Sequence, residues 1–291
     1  MTYRIIHKTT YNYAAPVAFG DHVACLTPRN LPNHRCMRNE LRITPRATSH
    51  QRVDYFGNRL TFFTVQGPHK RLVVEARSEV AIDEHERLAP EQSLAWDEVA
   101  TSLPRDRSPA SLEAYQFVFP SPRIRPSAEF ASYAAPSFQP GRHLAEALLD
   151  LTARIHKEFR FDSKATSVRT APEQVLRTRR GVCQDFAHLQ IACLRSLNLP
   201  ARYVSGYLRT CPPPGRPRLV GGDVSHAWLS AFCPGIGWLD VDPTNNLVPS
   251  YNHVMLAWGR DYGDVSPLRG LILGGREHTL KVAVDVEPID A

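Results

Sequence analysis

Eight of the chain's 24 prolines fall between residues 84 and 140. Proline fixes φ and lacks a backbone N–H, so Pro120, Pro122 and Pro126 forbid a long helix there. The stretch divides the 291-residue chain into two flanks, each long enough to bury apolar surface of its own. Residues 84–140 read as a connector packed against both neighbours, with room for one short helix over Leu94–Ala100.

Upstream, residues 1–83 read as β-structure. Tyr3 to Tyr13 alternates and is rich in Ile, Thr and Tyr, and Glu40–Thr44, Gln51–Phe56, Leu60–Val65 and Leu72–Ile82 follow at short spacing. Gly57 and Asn58 separate two of these runs as a hairpin turn would. Short strands with regular turns predict a small antiparallel β-sandwich. This flank also carries the net charge, with 12 Lys/Arg against 6 Asp/Glu, whereas the rest balances at 23 and 23. Its arginines are scattered and no nucleic-acid motif accompanies them, so they read as a solvated face and no nucleic-acid partner is expected. Its five histidines lack metal-ligand spacing.

Downstream, residues 141–291 read as α then β. Leu144, Leu148, Leu151, Ile155 and Phe159 mark one face of a helix. Pro172 suits the first turn of a second helix, ending at Thr178. A third opens at Gly181, Val182 and Cys183 and runs to about Leu197, before Pro200. Strands are predicted over Arg202–Arg209, Val224–Phe232, Trp238–Val241, Val254–Trp258 and His278–Val286. The fold class is therefore α+β.

No apolar run approaches the ~18 residues that span a membrane. The first eight residues lack the apolar core of a secretory signal. No membrane partner and a cytoplasmic location are expected. The six cysteines, Cys25, Cys36, Cys183, Cys193, Cys211 and Cys233, form no CxxC pair, so zinc-ribbon and thioredoxin-type sites are excluded. Reduced thiols fit the cytoplasm. Cys211, in a Pro-rich loop, reads as an exposed bystander.

Cys183 stands where a nucleophile is best served. A helix N-terminus offers unpaired backbone N–H groups and the positive end of the dipole, and both stabilise a thiolate. Gly181 permits a sharp turn into the helix and room for a substrate backbone, and the Cys183 N–H suits an oxyanion hole. Position alone does not separate a nucleophile from a small buried hydrophobe. His226 and Asp242 supply the distinction. A hairpin closed on Phe232 and Ile236 would set His226 directly opposite Asp242, close enough for the carboxylate to fix the imidazole. A change of register would weaken that pairing, and Asp240, on the same face, is a rival orienter. His188 lies well around the helix from Cys183, and Asp185 reads as an acid serving the first helical turn. Trp228 and Trp238 flank the two strands, as cleft walls or as ordinary core. Tyr207 and the Arg260–Tyr262 stretch are candidates for the rim. Zinc on Cys183, His226 and Asp242 would lack any paired ligand motif, and there is no calcium loop, so no metal or other cofactor is expected.

These segments carry a resemblance. GVCQDFAHL from Gly181, LPARYVSGY from Leu199, SHAW from Ser225, Gly237 with Trp238, and DPT from Asp242 resemble the core of the transglutaminase-like superfamily. Tyr3, His7, TYNY from Thr10, Pro28 with Arg29, and DYFGN from Asp54 resemble the bacterial transglutaminase-like N-terminal region. The WGRDYGDVSP stretch from Trp258 is similar to bacterial members assigned to the cysteine proteases. The resemblance implies an N-terminal β-sandwich (1–83), the Pro-rich connector (84–140) and a transglutaminase-like catalytic domain (141–291), papain-like, with the cysteine helix packed on an antiparallel sheet. It implies Cys183 as nucleophile, His226 as base and acid, and Asp242 as orienter, settling the choice against Asp240. It further implies a protein or peptide substrate and hydrolysis of peptide or glutamine amide bonds. Amine transfer to glutamine and a non-catalytic binding module on the same fold are the alternatives.

Overall fold

The computed structural model describes residues 1–83, 89–210 and 224–289. Cys211 lies outside them.

The N-terminal flank forms four antiparallel strands, β1 (Thr2–Ala24), β2 (His34–Thr44), β3 (Thr48–Val53) and β4 (Arg59–Ile82). The runs Leu60–Val65 and Leu72–Ile82 belong to one strand. Gly67 (φ +92°) and Pro68 between them form a β-bulge, since β1 advances from Val17 to Phe19 while β4 moves from His69 to Gln66. The bulge bends a long ladder instead of ending it. The two halves of this one sheet meet in a core of Tyr13, Val17, Phe63, Val65, Leu72 and Val74. Its layers are thus continuous through β1 and β4.

The connector holds three seven-residue helices, α1 (Trp96–Ser102), α2 (Pro109–Tyr115) and α3 (Ala128–Ala134). It touches both flanks: Phe117 packs on Phe56, and the Ser127 N–H donates to Ser196 Oγ at 3.0 Å.

Next come α4 (Leu144–Glu158), β5 (Arg160–Phe161), α5 (Pro172–Thr178), β6 (Arg180–Gly181) and α6 (Cys183–Ser196). The predicted stripe on α4 is buried, Leu144, Leu148, Leu151 and Ile155 each being at most 1% exposed. Each contributes about 1.5–3 kcal/mol. Helix α6 is buried almost all round, as befits a central helix. It packs on a four-stranded antiparallel sheet in the order β10-β7-β8-β9, built from β7 (Ala201–Leu208), β8 (Val224–Cys233), β9 (Gly237–Val241) and β10 (His253–Gly259).

A short helix, α7 (Tyr262–Val265), precedes β11 (Leu268–Gly274) and β12 (His278–Pro288). β12, predicted as a strand of the unit 141–291, and β11, not predicted as a strand, pair instead with β1, β12 along Tyr3–Tyr13 and β11 along Val17–Ala24. They complete the N-terminal sheet, and Val284 and Val286 enter the main core. Strand pairing follows the open edge of β1, which sequence distance does not reveal. The DYFGN turn adds a second tie. Asp54 Oδ1 accepts the Phe56 and Asn58 N–H groups, and buried Asn58 then pairs with the Trp258 N–H (3.0 Å) and C=O (2.8 Å) on β10. Arg29, Trp258, Arg202 and Trp238 stack in series beside it. Among the described residues no helix is long and apolar enough to cross a membrane.

Candidate active site

Three local features place Cys183 at the first position of α6. Arg179 ends α5 in the left-handed region (φ 56°), and the short parallel pair β5–β6 aligns the approach. Asp185 then folds back on the helix start: its Oδ2 accepts the Val182 N–H (2.8 Å) and the Thr166 hydroxyl (2.6 Å). Asp185 thus serves the first turn, as expected. Gly181 has a different reason from the predicted one. A Cβ there would lie 2.8 Å from Asp185 Cβ, so the space beside Gly181 holds the Asp185 side chain, not a substrate backbone.

The β8–β9 hairpin differs from the expected register by two residues. Phe232 pairs with Trp238 and Leu229 with Val241, so Asp242 follows the strand end instead of facing His226 directly. A two-residue shift preserves the face, and diagonal neighbours remain within reach. His226 Nε2 donates to Asp242 Oδ2 at 2.7 Å, both side chains being buried. The rival Asp240 accepts the Trp228 indole N–H at 3.0 Å. Trp228 itself is buried and lies against Gly206, where a Cβ would fall 2.4 Å from the indole.

Cys183 and His226 line the same cleft, and the thiol acts on the imidazole ring. Burial alone would lower the imidazole, but its bond to the Asp242 carboxylate and the neighbouring Cys183 outweigh that and hold the ring up to about 10. Burial would likewise raise Asp242. The donors His226, His253 and Asn245 outweigh that and hold the carboxyl well below the usual range. Oδ2 accepts Asn245 Nδ2 (2.7 Å) and His253 Nε2 (3.2 Å) besides His226, while Oδ1 accepts the Thr244 N–H (2.9 Å).

His253 and Asn245 were not foreseen. The available signals were a histidine opening the apolar run Val254–Trp258 and an Asn three residues past the aspartate. His226, Asp242 and His253 also form the candidate metal cluster among the described residues, with His253 in place of Cys183. Zinc–ligand bonds of about 2.0–2.2 Å would separate Nε2 from Oδ2 by roughly 3.3 Å in tetrahedral geometry. The 2.7 Å His226–Asp242 contact fits a hydrogen bond and not a shared ion.

A cleft of about 470 Å³ opens on this constellation. Half-buried Cys183, with His226, Tyr203 and Tyr262, lines it, as do His7 and Thr9 of β1. His7 donates or accepts with the Thr9 hydroxyl at 2.9 Å, and burial pushes its pKa down to about 4. Tyr262 therefore reaches the cleft, while Tyr207 is buried against the His7 ring. Arg260 pairs with Asp264, and Asp261 caps α7 through the Gly263 N–H. Trp238 packs on Phe117 and Phe232, away from the cleft. His188 accepts the Tyr262 N–H at 3.1 Å and is held neutral, burial lowering it to about 3.

Residues 3–81 match the bacterial transglutaminase-like N-terminal region, and residues 131–243 match the transglutaminase-like superfamily core. The chain is 39% identical over 300 residues to an uncharacterized protein of Mycobacterium tuberculosis, spanning 99% of this chain and 93% of that one. It is 35% identical over 97 residues to a protein-glutamine gamma-glutamyltransferase of Pseudomonas aeruginosa, covering 32% of this chain and 14% of that one. A crystal structure from Cytophaga hutchinsonii, described as a "Putative Cysteine Protease", superposes with a TM-score of 0.79 at 23% identity, over 100% of this chain and 92% of that one. Helix α6 on its antiparallel sheet, the completed N-terminal sheet and these matches along the whole chain place the protein in the transglutaminase-like superfamily.

Proposed function

We propose that the chain is a thiol acyl-transfer enzyme that opens peptide or glutamine amide bonds, with Cys183 as nucleophile and water as acyl acceptor. The observation that carries this reading is that His226 is bonded to buried Asp242 and lines the same cleft as Cys183. The Cys183 proton passes to His226, and the thiolate attacks the amide carbonyl. Collapse of the adduct breaks the C–N bond, and His226 gives the proton to the leaving amine. Water, deprotonated by His226, then cleaves the thioester to a carboxylate and restores the thiol. The backbone N–H of Cys183, at the helix start, stabilises the oxyanion. Half-burial of Cys183 leaves the thioester open to water, which favours hydrolysis. The free thiols among the described residues suit a cytoplasmic protein.

Iodoacetamide labelling of Cys183, localised by mass spectrometry, tests the reading. Labelling that stays fast near pH 6, where an ordinary thiol is almost wholly protonated, supports it. Labelling that appears only near pH 8.5 or above, or none in the folded state, overturns it. The similarity to the Pseudomonas transferase favours a second reading, transfer to an amine. Incorporation of a labelled primary amine into glutamine peptides, abolished by Cys183→Ala, would select it.

A further inference from the structure

Part of the lining of the cleft that contains Cys183 is made by the first and last strands of the chain. β1 and β12 set His7 beside Val284, Thr9 beside Val282 and Tyr11 beside Leu280. All six line the cleft. Strand parity sorts the charges: Arg4, Lys8, Lys281, Asp285 and Glu287 occupy the alternate positions of the two strands. Among the described residues that line the cleft, none is Asp, Glu, Lys or Arg.

The apolar row runs further than the core requires. Val286 and Val284 are buried, at 0% and 2% exposure, whereas Val282 and Leu280 are 47% and 54% exposed. A solvated strand end has no need of two aliphatic side chains, and such a patch marks a surface that something covers. It is continuous with the space in front of Cys183 and carries no charge. Those two facts point to the part of the substrate next to the reacting amide.

We propose that the cleft accepts an uncharged acyl donor flanked by an apolar residue, and that Tyr11, Val282 and Leu280 form the subsite for that flanking side chain. This rests on the thiol acyl-transfer reading and adds its substrate class: peptide amides in apolar context, in preference to those beside lysine or glutamate. Burying a leucine-sized side chain there corresponds to about a tenfold preference.

The probes are three iodoacetyl dipeptide amides, with Leu, Lys or Glu next to the iodoacetyl group. Each alkylates the Cys183 sulfur with loss of iodide. Each rate is taken relative to free iodoacetamide on the same protein, so an unreactive thiol, which would defeat the acyl-transfer reading itself, is seen separately. The expected result is that the Leu probe gains about tenfold over the Lys and Glu probes and that Leu280→Lys with Val282→Lys erases the gain. The milder Val282→Thr should reduce it and guards against misfolding of the lysine variant. Equal relative rates for the three probes, or a preference unchanged in the variants, would overturn the subsite. So would a wild-type dimer in light scattering that the lysine variant converts to monomer, since the ledge would then be a self-association surface.

Discussion

Replacing Asp242 with asparagine tests the central geometry most directly. The carboxylate is fully buried and its Oδ2 receives three side-chain donors, at 2.7, 2.7 and 3.2 Å. Its effect on His226 can be worked from the ring's elevation, from 6.5 to about 10. At about 1.36 kcal/mol per unit, the negative partners outweigh burial by on the order of 5 kcal/mol. Asparagine removes one of those charges and leaves the burial penalty in place. If the ring falls to 6.5 or below, its charged fraction at about pH 7.5 drops to roughly one tenth. Labelling of Cys183 by iodoacetamide at that pH should therefore fall at least tenfold. The variant also loses stability, because one amide orientation aims an NH₂ at three donors and the other aims it at a backbone N–H, costing about 1–3 kcal/mol. A urea titration of the same sample fixes the folded fraction, and labelling is compared only where both proteins are folded. Labelling within about twofold of wild type across the neutral range would refute the claim that Asp242 holds His226 charged against the thiol.

Gly181→Ala should lower unfolding free energy by about 1–3 kcal/mol in urea, because its methyl meets Asp185 at 2.8 Å and must push the acid off the helix start; unchanged stability would remove that role from Gly181. Asn58→Ala strips partners from the Trp258 N–H and C=O, and about 2 kcal/mol or more should be lost. Hydrogen exchange at Trp258 should rise with it, and an unaltered exchange rate there would contradict the tie between the N-terminal sheet and β10. Because the Asp242 carboxyl is depressed, its contribution to stability is complete above about pH 4 and is lost as pH falls below that. Unfolding free energy measured against pH should show this acid loss in wild type and less of it in Asp242→Asn, and equal slopes would speak against it.

Local pattern exposed much of this molecule and failed at identifiable places. The α4 stripe, the Pro172 start of α5 and the Cys183 start of α6 were legible, because helical spacing and capping are written within a few residues. Strand ends were less legible. Leu60–Val65 and Leu72–Ile82 read as two strands, but Gly67 and Pro68 between them form a bulge within β4, since pairing to β1 continues on both sides. The hairpin register was misjudged by two residues, and the His226–Asp242 contact survived because an even shift keeps the face. His253 stayed hidden for a different reason. Its partner Asp242 lies across the β9–β10 connection, and no periodicity links the two positions.

The largest gap concerns the chain's ends. Leu268–Gly274 was not recognised as a strand, and His278–Val286 was assigned to the wrong unit, because both find their partner in β1 more than 240 residues away in sequence. That pairing changes what the N-terminal flank is. As a separate module it would dock a partner through its basic surface and leave Cys183 reactivity untouched when removed. In the structure His7 and Thr9 belong to the cleft that contains Cys183, and Val284 and Val286, held by β1, fill the main core. Deleting residues 1–83 would therefore remove one wall of the cleft and strand β11 and β12 without their ladder. On the proposed mechanism the N-terminal sheet would act on the chemistry by shaping the cleft, and the two ends of the chain would have to fold together to complete the lining around Cys183.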